Sequence, residues 1–409
     1  MRWRRVRITI SRETKKDLME GSISLMLCNV GDYISGFYLQ YFEPIIRSAP
    51  LLLALLPAAS DARGDVYSSY GSRLGTLLHL GVFDRYKLPE LVALGILIVL
   101  VNVWVGILLF VIGAVFHHYS LPLSDLAFVS LASALISALF MVPATTGLAI
   151  ASFRKGWDPD NLVAPIATLF GDIVTIPTIV ASYMIALSLP PIARLALVYV
   201  SIGVASALLV SVVVLRRKRK SWERCVRVVK ENIFVIMAST SFSALAGAIL
   251  LANISSVLSW KGIIAVVPAF LEDGGAIACR FSSRLTTMLH LGKIKPEIVP
   301  RNSWVFSQVG INYVHAAMVF TSLGGFGAAM ALIAHATLAD ALTVFIVVEL
   351  AGFMLTTIVS LLTYFLAIAS YKLGIDPDNV LAPLLTSMAD AIGTSSLVLM
   401  ISVIGSYFG

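Results

Sequence analysis

Two stretches of this chain repeat each other, and the repeat fixes most of what the chain can fold into. Residues 57–81 read PAASDARGDVYSSYGSRLGTLLHLG, and residues 268–292 read PAFLEDGGAIACRFSSRLTTMLHLG. Pro57 matches Pro268, Gly64 matches Gly275, Arg73 matches Arg284 and His79 matches His290, all at an offset of 211. Residues 158–172 (DPDNLVAPIATLFGD) and 376–390 (DPDNVLAPLLTSMAD) match at an offset of 218, so the second copy gains seven residues between the blocks. Two ungapped matches in one order mark a duplicated unit, and the architecture should be twofold.

Composition says what kind of unit it is. Of 409 residues 58% are hydrophobic and only 13% charged, with a mean hydropathy of +0.90, against about 25% charged in soluble domains. About 20 apolar residues cross a bilayer core as a helix. Each copy supports five such helices, near 21–41, 49–80, 89–116, 123–151 and 161–187, then near 232–254, 261–291, 304–323, 340–369 and 379–406. Pro191–Leu215 adds a linking span. The expected fold is therefore an all-α integral membrane protein of about 11 transmembrane helices, two five-helix repeats plus one linker. The expected segments are a basic N-terminal stretch (1–20), a first repeat (21–188), a linking helix with its basic loop (189–230) and a second repeat (231–409). The middle of each copy's second helix is polar, and a break or bend is expected there.

An odd linking span has a topological consequence. Five spans reverse the side of the membrane and a sixth restores it, so both copies should enter from one face and run parallel. The charges agree. Arg85, Lys87, Arg154, Lys155, the basic run 216–220, Lys293, Lys295, Arg301 and Lys372 fall in loops on one side, with Arg47, Arg194 and Lys261 on the other. The positive-inside rule then places the N-terminus in the cytoplasm and Gly409 outside, in a multi-pass protein of the cell membrane. The basic clusters near residues 2–16 and 216–227 read as orienting flanks, and no nucleic-acid partner is expected. The polar start lacks the pattern of a cleavable signal peptide. Cys28, Cys225 and Cys279 are too scattered for a disulfide framework or a thiolate metal site.

Asp172 and Asp390 are the strongest candidates for chemistry. Each lies eleven residues after the Asn (Asn161, Asn379) that opens its copy's last helix, about 16 Å along it. A carboxylate at that depth is costly unless it meets water, a partner or a cation. Two at equivalent positions would face each other across a pseudo-twofold axis. The bland alternative is polar glue between helices. Thr168 and Thr386 lie one turn earlier on the same face, and Pro165 and Pro383 should loosen the helix and free carbonyls. Such hard oxygen ligands suit Mg²⁺, Ca²⁺ or Mn²⁺.

Other polar positions carry two readings. Asp160 or Asn161, and Asp378 or Asn379, are suitable helix caps, or they form a mouth that attracts a hydrated cation. Asp61, Gly64 and Asp65, with Glu272, Asp273, Gly274 and Gly275, line a path or a solvated turn. Arg73 and Arg284 read as structural, and His79 and His290 as packing residues near the inner interface. Asp32, Glu43, His315 and Glu349 have no like residue in the other copy, and one of them could carry a coupling proton or Na⁺. There is no phosphate-binding GxxxxGK[ST] loop and no HExxH or Ser–His–Asp signature, which speaks against ATP-driven transport by this chain alone and against an intramembrane hydrolase.

The P-x6-G-[ND]-x6-S-R-L pattern and the D-P-D-N…P…[GA]-D block resemble the MgtE-type divalent cation transporters, in particular the two-repeat solute-carrier relatives of bacterial MgtE. The likeness covers nearly the whole chain and occurs twice. It implies a Mg²⁺ pathway where two five-helix units meet, made within one chain by a monomer acting as a pseudo-dimer. By motif Asp172 and Asp390 match the acidic pore residue, and the ion passes largely hydrated. The family's Gly-Asn is Gly64–Asp65 in one copy and Gly275–Ala276 in the other, so the halves differ there. Bacterial members also carry large cytoplasmic regulatory domains that close the pore; with about twenty residues before the first span here, that mode of gating is expected to be absent or replaced.

The expected function is membrane transport of divalent cations, with Mg²⁺ as bound and transported ion and the bilayer as partner, and no enzymatic activity. The metal-site candidates are Asp172, Asp390, Thr168, Thr386, Asn161, Asn379, Asp65 and Gly275. A Na⁺- or proton-coupled exchanger on the same scaffold is the alternative, and a membrane-embedded enzyme or lipid-binding scaffold is the alternative from another class.

Overall fold

A computed structural model describes residues 12–116, 122–156, 159–216, 220–374 and 377–408. Among these residues there are thirteen α-helices and no strand: α1 (Arg12–Tyr41), α2 (Glu43–Ser48), α3 (Leu51–His79), α4 (Phe83–Val115), α5 (Leu123–Arg154), α6 (Pro159–Ser188), α7 (Pro191–Leu215), α8 (Lys220–Ala252), α9 (Ile254–Ser259), α10 (Ile263–His290), α11 (Ser303–Ile333), α12 (Leu338–Lys372) and α13 (Pro377–Phe408). Helices α1–α6 correspond in order to α8–α13, down to the short α2 and α9, whose starts are 211 residues apart.

Eight of the eleven long helices, α4–α8 and α11–α13, contain stretches long and apolar enough to cross a membrane. The other three expected spans, α1, α3 and α10, fall short because their sequences carry Asp32, then Asp61, Arg63 and Asp65, then Glu272, Asp273 and Arg280. Asp32, Arg63 and Asp273 are at most 2% exposed. The polarity that lowers their hydropathy is thus turned into the protein.

Three sequence expectations are corrected. α3 and α10 are continuous through their polar middles. No break is needed, because neighbouring helices supply hydroxyls to Asp61 and Arg63 of α3 and amide oxygens to Arg280 of α10. α1 starts at Arg12 and α8 at Lys220, about ten residues before the apolar segments, since Lys, Arg and Glu sustain a helix as well as Leu does. α6 and α13 begin at Pro159 and Pro377 and stay helical through Pro165 and Pro383. Proline suits a first helical position, and Asp160, Asn161, Asp378 and Asn379 lie inside the helices rather than ahead of them as caps.

Helices α3–α6 pack on one another as a four-helix body, and α10–α13 form its counterpart. The first helix of each copy is exchanged. α1 packs on α10, α11 and α6, while α8 packs on α3, α4 and α13. Glycine makes both crossings possible. A Cβ on Gly36 of α1 would stand 2.0 Å from Ala265 O of α10, and one on Gly247 of α8 would stand 2.1 Å from Ala54 O of α3. Such close approach is the usual role of glycine between membrane helices.

α3 and α10 are the buried centre of their bodies. Leu51–Ala59 and Ile263–Leu271 are buried throughout. α7 is the opposite case, with Val198, Ala205 and Val212 as its buried residues, a single seam at seven-residue spacing. It lies on α4, α5 and α8, and Arg194 Nη1 ties it to Asp125 Oδ2 of α5 at 2.7 Å. Glu90 of α4, 1% exposed, joins Arg73 of α3 (2.8 Å) and Arg224 of α8 (2.6 Å). His79 stands edge-on to Phe153 and His290 to Tyr371, in line with the packing role read from the sequence.

Candidate cation site

Asp172 lies thirteen residues into α6 and Asp390 thirteen into α13, about 20 Å along each helix. Both are nearly buried, at 7% and 9% exposed, and both line one small cavity of about 20 Å³. The other acids on its wall are Asp32 of α1, Asp61 of α3 and Glu272 of α10. The cavity therefore gathers five carboxyl groups from five helices, with Pro57 and Pro268 beside them. A proline inside a helix leaves the carbonyl four residues earlier without its helical donor.

Serine hydroxyls hold three of these acids, Asp61, Asp172 and Asp390. Ser60 Oγ donates to Asp172 Oδ1 at 2.6 Å. Asp61 Oδ2 accepts from Ser239 (2.8 Å), Ser243 (2.5 Å) and Ser387 (3.1 Å). Ser243 Oγ also lies 2.7 Å from Asp390 Oδ2. A hydroxyl carries one proton, so it cannot donate to both carboxylates at once. The second contact needs a proton on a carboxyl group or a cation between the two. Among the described residues no three His, Cys, Asp or Glu side chains converge as a direct metal shell.

The exchanged helices make this wall twofold. Asp32 of α1 and Ser243 of α8 are 211 residues apart, as are Asp61 and Glu272. Asp61, Ser243 and Asp390 form one set, and Glu272, Asp32 and Asp172 occupy the corresponding positions of the other.

A model of the MgtE family, described as divalent cation transporter, matches residues 56–182 and 267–400. The two matched stretches start 211 and end 218 residues apart, the offsets of the internal repeat, and together they cover more than half of the chain. The chain belongs to the MgtE divalent cation transporter family. It is similar to solute carrier family 41 member 3 of Mus musculus, 25% identical over 406 residues that cover 92% of this chain and 80% of the relative. Solute carrier family 41 member 2 of Homo sapiens is 25% identical over 414 residues, covering 92% and 68%. The Xenopus laevis member 2 is 23% identical over 446 residues, covering 96% and 74%. No solved structure matches. The family makes this chain a multi-pass membrane transporter of divalent cations and not an enzyme.

Thr168, Thr386, Asp65 and Gly275 of this MgtE-family chain lie outside the cavity lining. A Cβ on Gly275 of α10 would stand 3.2 Å from Thr386 of α13, and one on Gly64 of α3 would stand 3.7 Å from Thr168 of α6. The two Gly–Thr contacts are seams between helices, one turn nearer the starts of α6 and α13 than the acids. Asp65 is at that level, its Oδ2 buried with no hydrogen-bond partner among the described residues. The side chains of Asn161 and Asn379 lie outside the described residues.

Of the four candidates with no like residue in the other copy, Asp32 alone lines the cavity. Glu43 pairs with Arg47 at 2.6 Å, His315 Nε2 meets Leu18 O at 3.2 Å, and Glu349 accepts from Thr321. The serines escaped sequence reasoning because hydroxyls are common in helices. The usable signal was position, since Ser243 is the repeat counterpart of Asp32. Arg63 was also missed. Its guanidinium is 2% exposed and donates to Ser133 (2.9 Å), Thr175 (3.0 Å), Ser137 (3.2 Å), Ala59 O (3.3 Å) and Thr178 (3.4 Å). Its counterpart is Gly274, so a fixed cation ties α3 to α5 and α6 in one copy only.

Proposed function

We propose that the transported ion is Mg²⁺ and that it passes between the two repeats, held in hydrated form by Asp172 and Asp390. The observation that carries this reading is the shared cavity. Two repeat-equivalent aspartates meet there with Asp32, Asp61 and Glu272, and a set of carboxylates at membrane depth favours a multivalent cation. Mg²⁺ keeps several waters and is bound through few carboxylates. Acids that do not converge as a direct shell suit such an ion, because water fills the remaining distance.

A polar stripe supports the path away from the cavity. Asp61, Asp65, Ser68, Ser69 and Ser72 recur on α3 at the spacing of one helix face. They lead toward the end of the bundle where α6 begins, since α3 passes Asp172 at Ser60 and Val163 at Gly71. In this reading Thr168, Thr386, Asp65 and Gly275 line the narrow segment, and Asn161 and Asn379 stand at its mouth. The clustering of basic residues at that end argues for a cytoplasmic face there, with parallel repeats, an outer C-terminus and residence in the cell membrane. The chain would work as a monomeric pseudo-dimer.

The deciding measurement is Mg²⁺ uptake into liposomes by the wild type, Asp172→Asn and Asp390→Asn, each with and without a Na⁺ gradient. Each substitution is expected to lower uptake at least about tenfold, the order of one lost charge interaction in a partly desolvated site. Normal uptake by both variants would overturn the assignment. Flux that stops without the gradient would favour the coupled exchanger, for which Asp32, present in one copy only, offers the extra carboxyl group.

A further inference from the structure

The second copy is built differently from the first at one end. In the first copy α3 ends at His79 and α4 starts at Phe83, whereas α10 ends at His290 and α11 starts at Ser303. The longer link lies in the interval where the second copy gains its seven residues, and it is pinned in place. Tyr364 Oη of α12 donates to Glu297 O at 2.7 Å, Asn302 Oδ1 caps α11 at Trp304 N, and Ile294 is 4% exposed.

The pinned link and α12 wall a cleft of about 300 Å³. Lys293, Lys295 and Arg301 line it against a single acid, Glu297. Leu291, Ile298 and Val299, at 60%, 64% and 64% exposed, lie on the same link. The cleft is at the end of the bundle where α13 begins, since His290 stands against Tyr371. A cationic hollow with an apolar edge, at the level where membrane helices end, is complementary to an amphiphile with a negative head. The first copy has no counterpart. Its link is three residues, and Thr146, the position equivalent to Tyr364, is paired with Tyr70 at 3.0 Å.

We propose that this cleft binds the phosphate headgroup of an anionic membrane lipid, with the acyl chains lying along Leu291, Ile298 and Val299. Arginine and lysine are the usual partners of a phosphate, and basic pockets at the cytoplasmic ends of membrane helices bind such heads. The proposal does not depend on which ion is carried.

The test places the full chain in nanodiscs of equal phosphatidylcholine and phosphatidylglycerol and counts retained lipids by native mass spectrometry. The wild type is expected to retain phosphatidylglycerol in preference. The Lys293→Gln/Lys295→Gln/Arg301→Gln variant should lose at least about tenfold of that preference, since each cation near an anionic surface contributes roughly fivefold. The Arg85→Gln/Lys87→Gln variant, altered at the same end of the first copy, should keep it. Equal retention by the triple variant and the wild type overturns the proposal, and so does equal loss in the Arg85/Lys87 variant. Displacement of the lipid by millimolar inorganic phosphate would identify a free-anion site and overturn the lipid assignment. If the triple variant does not fold, Lys295→Gln and Arg301→Gln singly should each reduce retention about fivefold, and unchanged retention in both overturns the proposal.

Discussion

Asp61 and Asp390 share one hydroxyl: Ser243 Oγ lies 2.5 Å from the first carboxylate and 2.7 Å from the second. The two acids come from different copies, so this serine, carried on an exchanged helix, joins the halves at the cavity wall. Ser243→Ala is predicted to lower Mg²⁺ uptake about tenfold, the worth of one hydrogen bond to a charged group. Ser239→Ala should cost less, because Asp61 keeps two other hydroxyl donors. Uptake assays in liposomes that rank the two variants the other way would contradict this.

Asp32→Ser makes the first helices of the two copies alike at this position. The cavity then keeps four acids in place of five, and the attraction for a divalent ion weakens. Uptake at low Mg²⁺ should fall several-fold and recover as the ion concentration is raised. A variant that runs at the wild-type rate across the whole concentration range would remove Asp32 from the pathway.

Gly36→Leu and Gly247→Leu should each destabilise the protein strongly, since even a Cβ would meet a backbone oxygen at 2.0 or 2.1 Å. Overpacking costs about 1–3 kcal/mol where neighbours can shift, and a helix backbone shifts little. Thermal unfolding midpoints in detergent should drop for both. Gly95→Leu, with open space around its Cβ position, should stay near the wild type.

Glu90→Ala leaves Arg73 and Arg224 without their shared acid. Breaking a buried ion pair costs about 3–5 kcal/mol, and both arginines are partly exposed, so the lower end is expected. Lys87→Ala breaks the exposed pair with Asp84 and should change stability by less than about 1 kcal/mol. Denaturation curves of the two variants measure the contrast.

Much of the fold could be read in advance because duplication shows twice. The blocks at offsets 211 and 218 located corresponding helices, though several ends, such as the starts of α1 and α8, were missed by about ten residues, and period and composition gave the apolar ones. Less could be read for α3 and α10. A run such as Asp61–Asp65 looks like a break when considered alone, and only the hydroxyls of α8 and α13 explain why it stays helical. At the site, Asp172 and Asp390 stood out by depth. Asp32 did not, since its partners come from helices far away in sequence and its repeat counterpart is a serine. The exchange of α1 and α8 left no trace in either copy alone, as it is a property of how the copies meet.

That exchange has a consequence for how the chain is made. When residues 12–188 have left the ribosome, α3 still lacks α8, which supplies two of the hydroxyls on Asp61, and α1 lacks α10. Neither half can mature during synthesis without the other. A nascent first half would expose charged helices to the translocon until α8 arrives, and co-expressed halves should be degraded singly but rescue one another.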